Sequence, residues 1–147
     1  MSDTVRLFDV NVLLALGWPN HAHHDPAHQW RRARGKAAWA TSSFTEAGFI
    51  RISSNPRIIE DAVAPAVVAK MLDRLREMPG HVFWSEPENG VDSEEFKAVI
   101  PSITHHKHVT DAFLVATARR HGGRLATFDR SLSRLFPEDV ELVRPPA

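Results

Sequence analysis

The chain has 147 residues, no cysteine, 43% hydrophobic and 24% charged residues, and 18 Lys+Arg against 18 Asp+Glu. That length suits a single domain over residues 1–147, and the composition excludes disordered and fibrous classes, while the lack of cysteine excludes disulfides, thiol nucleophiles and cysteine-ligated metal clusters. Balanced charge removes any global positive field, so a surface for an anionic polymer would have to be local.

The apolar stretch at residues 10–18 is too short to span a bilayer, contains Asn11, and follows Asp3 and Asp9 where a signal peptide would carry basic residues. No membrane association is expected, and the chain reads as cytoplasmic. In chain order, Val5-Arg6-Leu7-Phe8 predicts a strand ending at Asp9, and residues 10–16 a helix stopped by Gly17-Trp18-Pro19. Asp25-Pro26 predicts a helix start with Asp25 as cap, and Gly35 its end. Residues 37–41 predict a second strand, followed by a helix in which Ser43 and Glu46 fit a capping box. Residues 65–78 place Val68, Met71, Leu72 and Leu75 on one helical face, ended by Pro79-Gly80. Residues 82–84 predict a third strand, and residues 92–99 a helix with Asp92 and Glu95 at capping-box spacing, closed by Pro101. Thr110 predicts the cap of a helix over 111–121, stopped by Gly122-Gly123. A strand over 124–128 then ends in Asp129, and residues 140–143 predict an edge strand before the terminal Pro145-Pro146-Ala147.

Strands alternating with helices predict a three-layer α/β/α fold with a mostly parallel sheet of four to five strands. Ligands of such sheets bind beyond the carboxyl ends of the strands, where Asp9, Glu46 and Asp129 are expected, and the helix opening at Asp111 can face the same edge. Clustered carboxylates repel one another unless protons or a cation intervene. A hard divalent ion, Mg2+ or Mn2+, suits oxygen ligands, and it can activate water and offset charge on a phosphodiester.

The stretches LFDVNVLLAL around Asp9, WPNHAHH, ATSSFTEAGFIRI around Glu46, and TDAFLVATARRHGGRLATFD spanning Asp111 to Asp129 follow one another in a fixed order along nearly the whole chain. With them the chain resembles the VapC-type toxins of bacterial toxin–antitoxin pairs, which are PIN-domain ribonucleases. The resemblance implies an acidic quartet of Asp9, Glu46, Asp111 and Asp129, with Asp9 and Asp111 as direct metal ligands and Glu46 and Asp129 acting directly or through water. It also implies RNA cleavage by metal-activated water, a homodimer, and a small cognate antitoxin that restrains the active-site groove. Val10 departs from the small polar residue that often follows the first acid.

Each acid also has a plain structural reading. Asp9 and Asp129 are placed as helix caps, Glu46 as a capping-box residue, and Asp111 as a charge at the positive end of a helix. Asn11 and Thr127 are candidates for positioning substrate or water. His21, His23, His24, His28, His105, His106 and His108 match no closed zinc spacing and read as rim or surface residues. Arg31, Arg32, Arg34 and Lys36, and a second run of Arg119, Arg120 and Arg124 expected near the acids, are candidate phosphate contacts. Trp18, Trp30, Trp39 and Trp84 read as core or dimer interface. Two rivals stand beside the nuclease reading: a catalytically inactive PIN-like RNA-binding or scaffold module, and a phosphatase of the haloacid-dehalogenase kind with Asp9 as nucleophile. Asn11 weakens the second, since it occupies the position of that family's second acid.

Overall fold

A computed structural model describes residues 4–144, so the expected proline-rich terminus at 145–147, together with Asp3, lies outside the described residues. Its elements are β1 (Arg6–Phe8), α1 (Val10–Gly17), α2 (His24–Ala33), β2 (Trp39–Thr41), α3 (Ser43–Ser53), α4 (Pro65–Arg76), β3 (His81–Phe83), α5 (Glu94–Val99), α6 (Val109–Arg120), β4 (Arg124–Thr127), α7 (Arg130–Leu135) and β5 (Val140–Leu142). The five strands form one sheet in the order β3-β2-β1-β4-β5, and every pairing is parallel.

Alternation along these short strands builds three layers, because successive side chains point to opposite sheet faces. Phe8, Trp39 and Ala126 enter one core with Leu13, Phe49, Val68 and Leu72 from α1, α3 and α4. Leu7, Ala40 and Leu125 enter the other with Phe96, Leu114, Val115 and Leu132 from α5, α6 and α7. All four tryptophans are buried, and Phe8 stacks on Trp39 at 4.9 Å between ring centroids. Each central strand is largely apolar because it is covered on both sides.

The helix starts differ from expectation in instructive ways. Asp25 is not a cap: α2 begins at His24 because a turn at His21–His24 runs straight into it, with Ala27 N–H donating to the His23 carbonyl at 2.9 Å. Pro26 is tolerated there since N–H groups of a first turn have no intrahelical partner. In α5 the cap is Ser93, accepting from Phe96 N–H, rather than Asp92. In α6 the helix opens at Val109, already helical after a tight turn over His106–His108, which displaces Thr110 from the cap position. Helix α7 has no counterpart among the sequence-based expectations; it is only six residues long and its cap is Asp129.

Candidate active site

Strands β1 and β4 are neighbours at the centre of the sheet, with Phe8 opposite Ala126, so the residues that follow them, Asp9 and Asp129, emerge on the same edge. The strand order reverses direction between these two strands, which opens a crevice there. Asp9 ends its strand with an N–H bond to the Ala126 carbonyl and then caps α1. Its Oδ1 accepts from Val10 N–H at 2.7 Å and its Oδ2 accepts from the Thr127 hydroxyl at 2.8 Å. Burial raises its pKa, the Thr127 and Val10 bonds oppose that, and the Asp129 charge adds to it, leaving the carboxyl above its ordinary value.

Asp111 comes from the first turn of α6 and shares with Asp9 a cavity of about 370 Å3, also lined by Asn11, Gly48, Arg51 and Thr110. Burial, then the charges of Asp9 and Asp129, push its pKa from 3.8 to about 7, with no hydrogen bond opposing them. Asp129 is the contrasting case. Burial would raise its pKa, but bonds from the Ser131 hydroxyl at 2.6 Å and Leu132 N–H at 3.1 Å, with His108 nearby, hold it below 3.8.

Three of the four expected acids therefore converge. Glu46 stands apart: it does not line the Asp9–Asp111 cavity, and its carboxylate accepts from the Thr41 hydroxyl at 2.6 Å and pairs with Arg76 at 2.9 Å. It is not a capping-box residue either. Ser42 caps α3 and Thr45 reciprocates, since Ser42 rather than Ser43 is the last non-helical residue. Asn11 is exposed on the wall of the cavity, and Thr127, 1% exposed, orients Asp9 while accepting from Asp129 N–H at 3.2 Å.

Two residues escape sequence reasoning. His108, read as rim or surface, is 5% exposed, and one ligand atom each from His108, Asp111 and Asp129 lie within 4.8 Å of one another. The usable signal is spacing, because residues three apart across a helix start share a face. Arg51 lines the acidic cavity from α3, and no pattern in sequence distinguishes it from other exposed arginines. The run of Arg119, Arg120 and Arg124 is not near the acids: Arg119 and Arg120 close α6 while Asp111 opens it, and Arg124 starts the strand that Asp129 follows. Arg119 pairs there with Asp139, and Arg124 contacts Glu141. In the other run, Arg34 pairs with Glu141 and covers the Trp30 ring.

A buried carboxyl and a half-buried one held above their ordinary range, with a third within reach, form a set of hard oxygen donors suited to a divalent cation, which would offset the repulsion among them. The residues present thus fit such an ion.

The sequence matches the PIN domain family over residues 6–135. It is 41% identical over 127 residues to Ribonuclease VapC39 of Mycobacterium tuberculosis, covering 86% of this chain and 90% of that protein. Among solved structures, the fold is similar to VapBC2 from Rickettsia felis bound to a DNA fragment from their promoter, with a TM-score of 0.65 and 12% identity over 94% of this chain and 98% of that one. It is also similar to VapC20 of Mycobacterium tuberculosis, a sarcin-ricin loop cleaving toxin, with a TM-score of 0.61 and 20% identity over 97% of this chain and 100% of that one.

Proposed function

Because the chain belongs to the PIN domain family, and within it to the VapC-type toxins, we propose that it is the endoribonuclease toxin of a type II toxin–antitoxin pair, hydrolysing RNA phosphodiester bonds with Mg2+, or Mn2+ in its place. The observation that carries this reading is the meeting of Asp9, Asp111 and Asp129 from three separate elements, each of the first two raised in pKa by burial and by its acidic neighbours.

In this reading Asp9 and Asp111 hold the ion directly and Asp129 completes the set, while Glu46 bears on the site through water. When bound, the ion supplies Lewis-acid activation of the attacking water and offsets charge on the scissile phosphate. The chain's own residues prepare the site. Thr127 and Val10 N–H fix both oxygens of Asp9, so that carboxylate presents one geometry. Ser131 and Leu132 N–H keep Asp129 ionised and turn its remaining oxygen toward Asp111 and His108. Arg51, on the wall of the same cavity, supplies a cation for an RNA phosphate, and Asn11 a polar amide beside Asp9.

The similarity to VapC-type proteins, including one solved as VapBC2, supports a small cognate antitoxin as a partner of this chain; a second copy in a homodimer is proposed on the family resemblance alone. Among the described residues no helix is long and apolar enough to cross a membrane.

The test is cleavage of single-stranded RNA by purified protein. Cutting is expected with Mg2+, none with EDTA, and none from Asp9→Asn or Asp111→Asn while both variants stay folded and still bind RNA. Binding without cutting under every divalent ion tried would instead establish the scaffold reading.

A further inference from the structure

We propose that His108 contributes its Nε2 as a nitrogen ligand to the divalent-cation site, making it a mixed imidazole–carboxylate centre that favours Mn2+ over Mg2+. This rests on the metal-dependent reading above and adds a donor that the acidic quartet does not contain.

The geometry places the imidazole among the acids. An ion with six ligands at about 2.1 Å holds opposite donors about 4.2 Å apart and adjacent ones about 3 Å apart. The ligand atoms of His108, Asp111 and Asp129 lie within 4.8 Å of one another, and Nε2 of His108 stands 3.8 Å from Oδ2 of Asp129, between those two spacings. Small side-chain rotations bring all three onto one ion. The fold also holds His108 in place: it is buried, it ends the tight turn over His106–His108, and it precedes Asp111 by three residues at the mouth of α6.

The fourth acid is engaged elsewhere. Glu46 is tied to Thr41 and Arg76 and is not in the donor group, in which the side chain beside Asp111 and Asp129 is the imidazole of His108. Replacing a carboxylate by imidazole lowers the repulsion in the cluster by one negative charge, which eases assembly around a divalent ion. Mn2+ shares the preference of Mg2+ for carboxylate oxygen but, as a first-row transition ion, accepts an imidazole nitrogen more readily than Mg2+, which takes oxygen donors and keeps its waters.

The hydrogen bonds around the ring define what must change. The Ser131 hydroxyl donates to Asp129 Oδ1 at 2.6 Å, so His108 Nε2, 3.0 Å from Ser131 Oγ, carries the proton and donates in the metal-free protein. Coordination requires that proton to move to Nδ1 or to solvent, freeing the Nε2 lone pair, while Ser131 keeps its bond to Asp129. A purely structural His108, anchoring Asp129 through Ser131, would keep the proton on Nε2.

Pulsed EPR on the full chain loaded with Mn2+ and free of RNA separates the two. Direct coordination is expected to give 14N modulation in the wild type and none in His108→Asn with Mn2+ still bound. Mn2+ affinity should fall in that variant by more than roughly tenfold, the lower end of what losing even an outer-shell partner costs, and Mg2+ affinity should fall less, so the preference for Mn2+ narrows. Ser131→Ala should keep the nitrogen coupling. If His108→Asn does not fold, wild-type protein carrying 15N-histidine should show 15N in place of 14N coupling, and His108 is the one histidine in the donor group among the described residues. Bound Mn2+ without nitrogen coupling, or coupling that survives His108→Asn, would overturn the proposal and leave the carboxylate site standing. Wild-type protein that binds no Mn2+ would overturn the metal-dependent reading itself.

Discussion

Asp111 carries an electrostatic penalty that no hydrogen bond relieves, and that makes it the sharpest single-residue test. A carboxyl whose folded pKa lies above its unfolded value favours the folded chain while protonated, so this contribution is present below 3.8 and is lost as pH rises through about 7. At about 1.4 kcal/mol per pH unit the ceiling is about 4 kcal/mol, and solvent around this half-buried group lowers it. In metal-free protein the melting temperature should therefore fall across that window, and Asp111→Asn should flatten much of the decline and raise stability at pH 8. A divalent ion should stabilise the wild type more at pH 8 than at pH 5, since it competes with the proton. Scanning fluorimetry across pH reads all three. Thr127 gives a second test: Thr127→Val strips a donor from buried Asp9, with an expected loss of about 1–3 kcal/mol in the metal-free protein above the titration of Asp9, measured by urea unfolding, while Thr127→Ser keeps the bond.

At the scale of elements, much of the chain is legible from sequence. The central strands β1, β2 and β4 are visible as apolar runs because both their faces are covered, while edge strand β3 is apolar although Val82 and Phe83 are exposed, and α1 and α4 are visible because their apolar spacing is helical. What stays hidden is which polar residue caps which helix. Ser42 and Thr45 form the box that sequence spacing assigns to Ser43 and Glu46, because a shift of one residue at a helix start satisfies the same pattern. The consequence is testable: Thr45→Ala should cost about 1 kcal/mol of stability, whereas Glu46→Gln loses only the partly exposed Arg76 pair and should move the melting point little. Packing between α1 and α3 also sets the site, since a Cβ on Gly48 would come within 2.7 Å of Val10, the residue after Asp9. Gly48→Ala should destabilise by about 1–3 kcal/mol and weaken RNA cleavage by displacing Asp9, read by melting and by turnover together.

Over the whole molecule, the convergence of three acids is legible as far as parallel-sheet logic reaches: residues after strands gather at one edge. The strand order that makes β1 and β4 neighbours is not legible, because the contact joins residues far apart in sequence. For the same reason sequence alone does not reveal that Arg51 lies near the acids, whereas the local pattern already puts the arginines at 119–124 at the ends of α6 and β4 away from Asp111 and Asp129, and His108 one helical turn before Asp111. With formal net charge near zero, RNA attraction has to come from individual cations near the cleft. Arg51→Ala should weaken RNA binding, reduce the slope of log affinity against log salt by about one, and leave metal affinity unchanged, as measured by fluorescence anisotropy over a salt series.

The central claim is that Asp9, Asp111 and Asp129 form one divalent-cation site, and proton release on metal binding tests it most directly. Calorimetric titration of RNA-free protein with Mn2+ near pH 7, in buffers of different ionisation enthalpy, should show a single site that expels a fraction of a proton, more at pH 6 than at pH 8, with binding greatly weakened in Asp111→Asn. Binding that releases no proton, or that is unchanged by Asp111→Asn, would contradict the account.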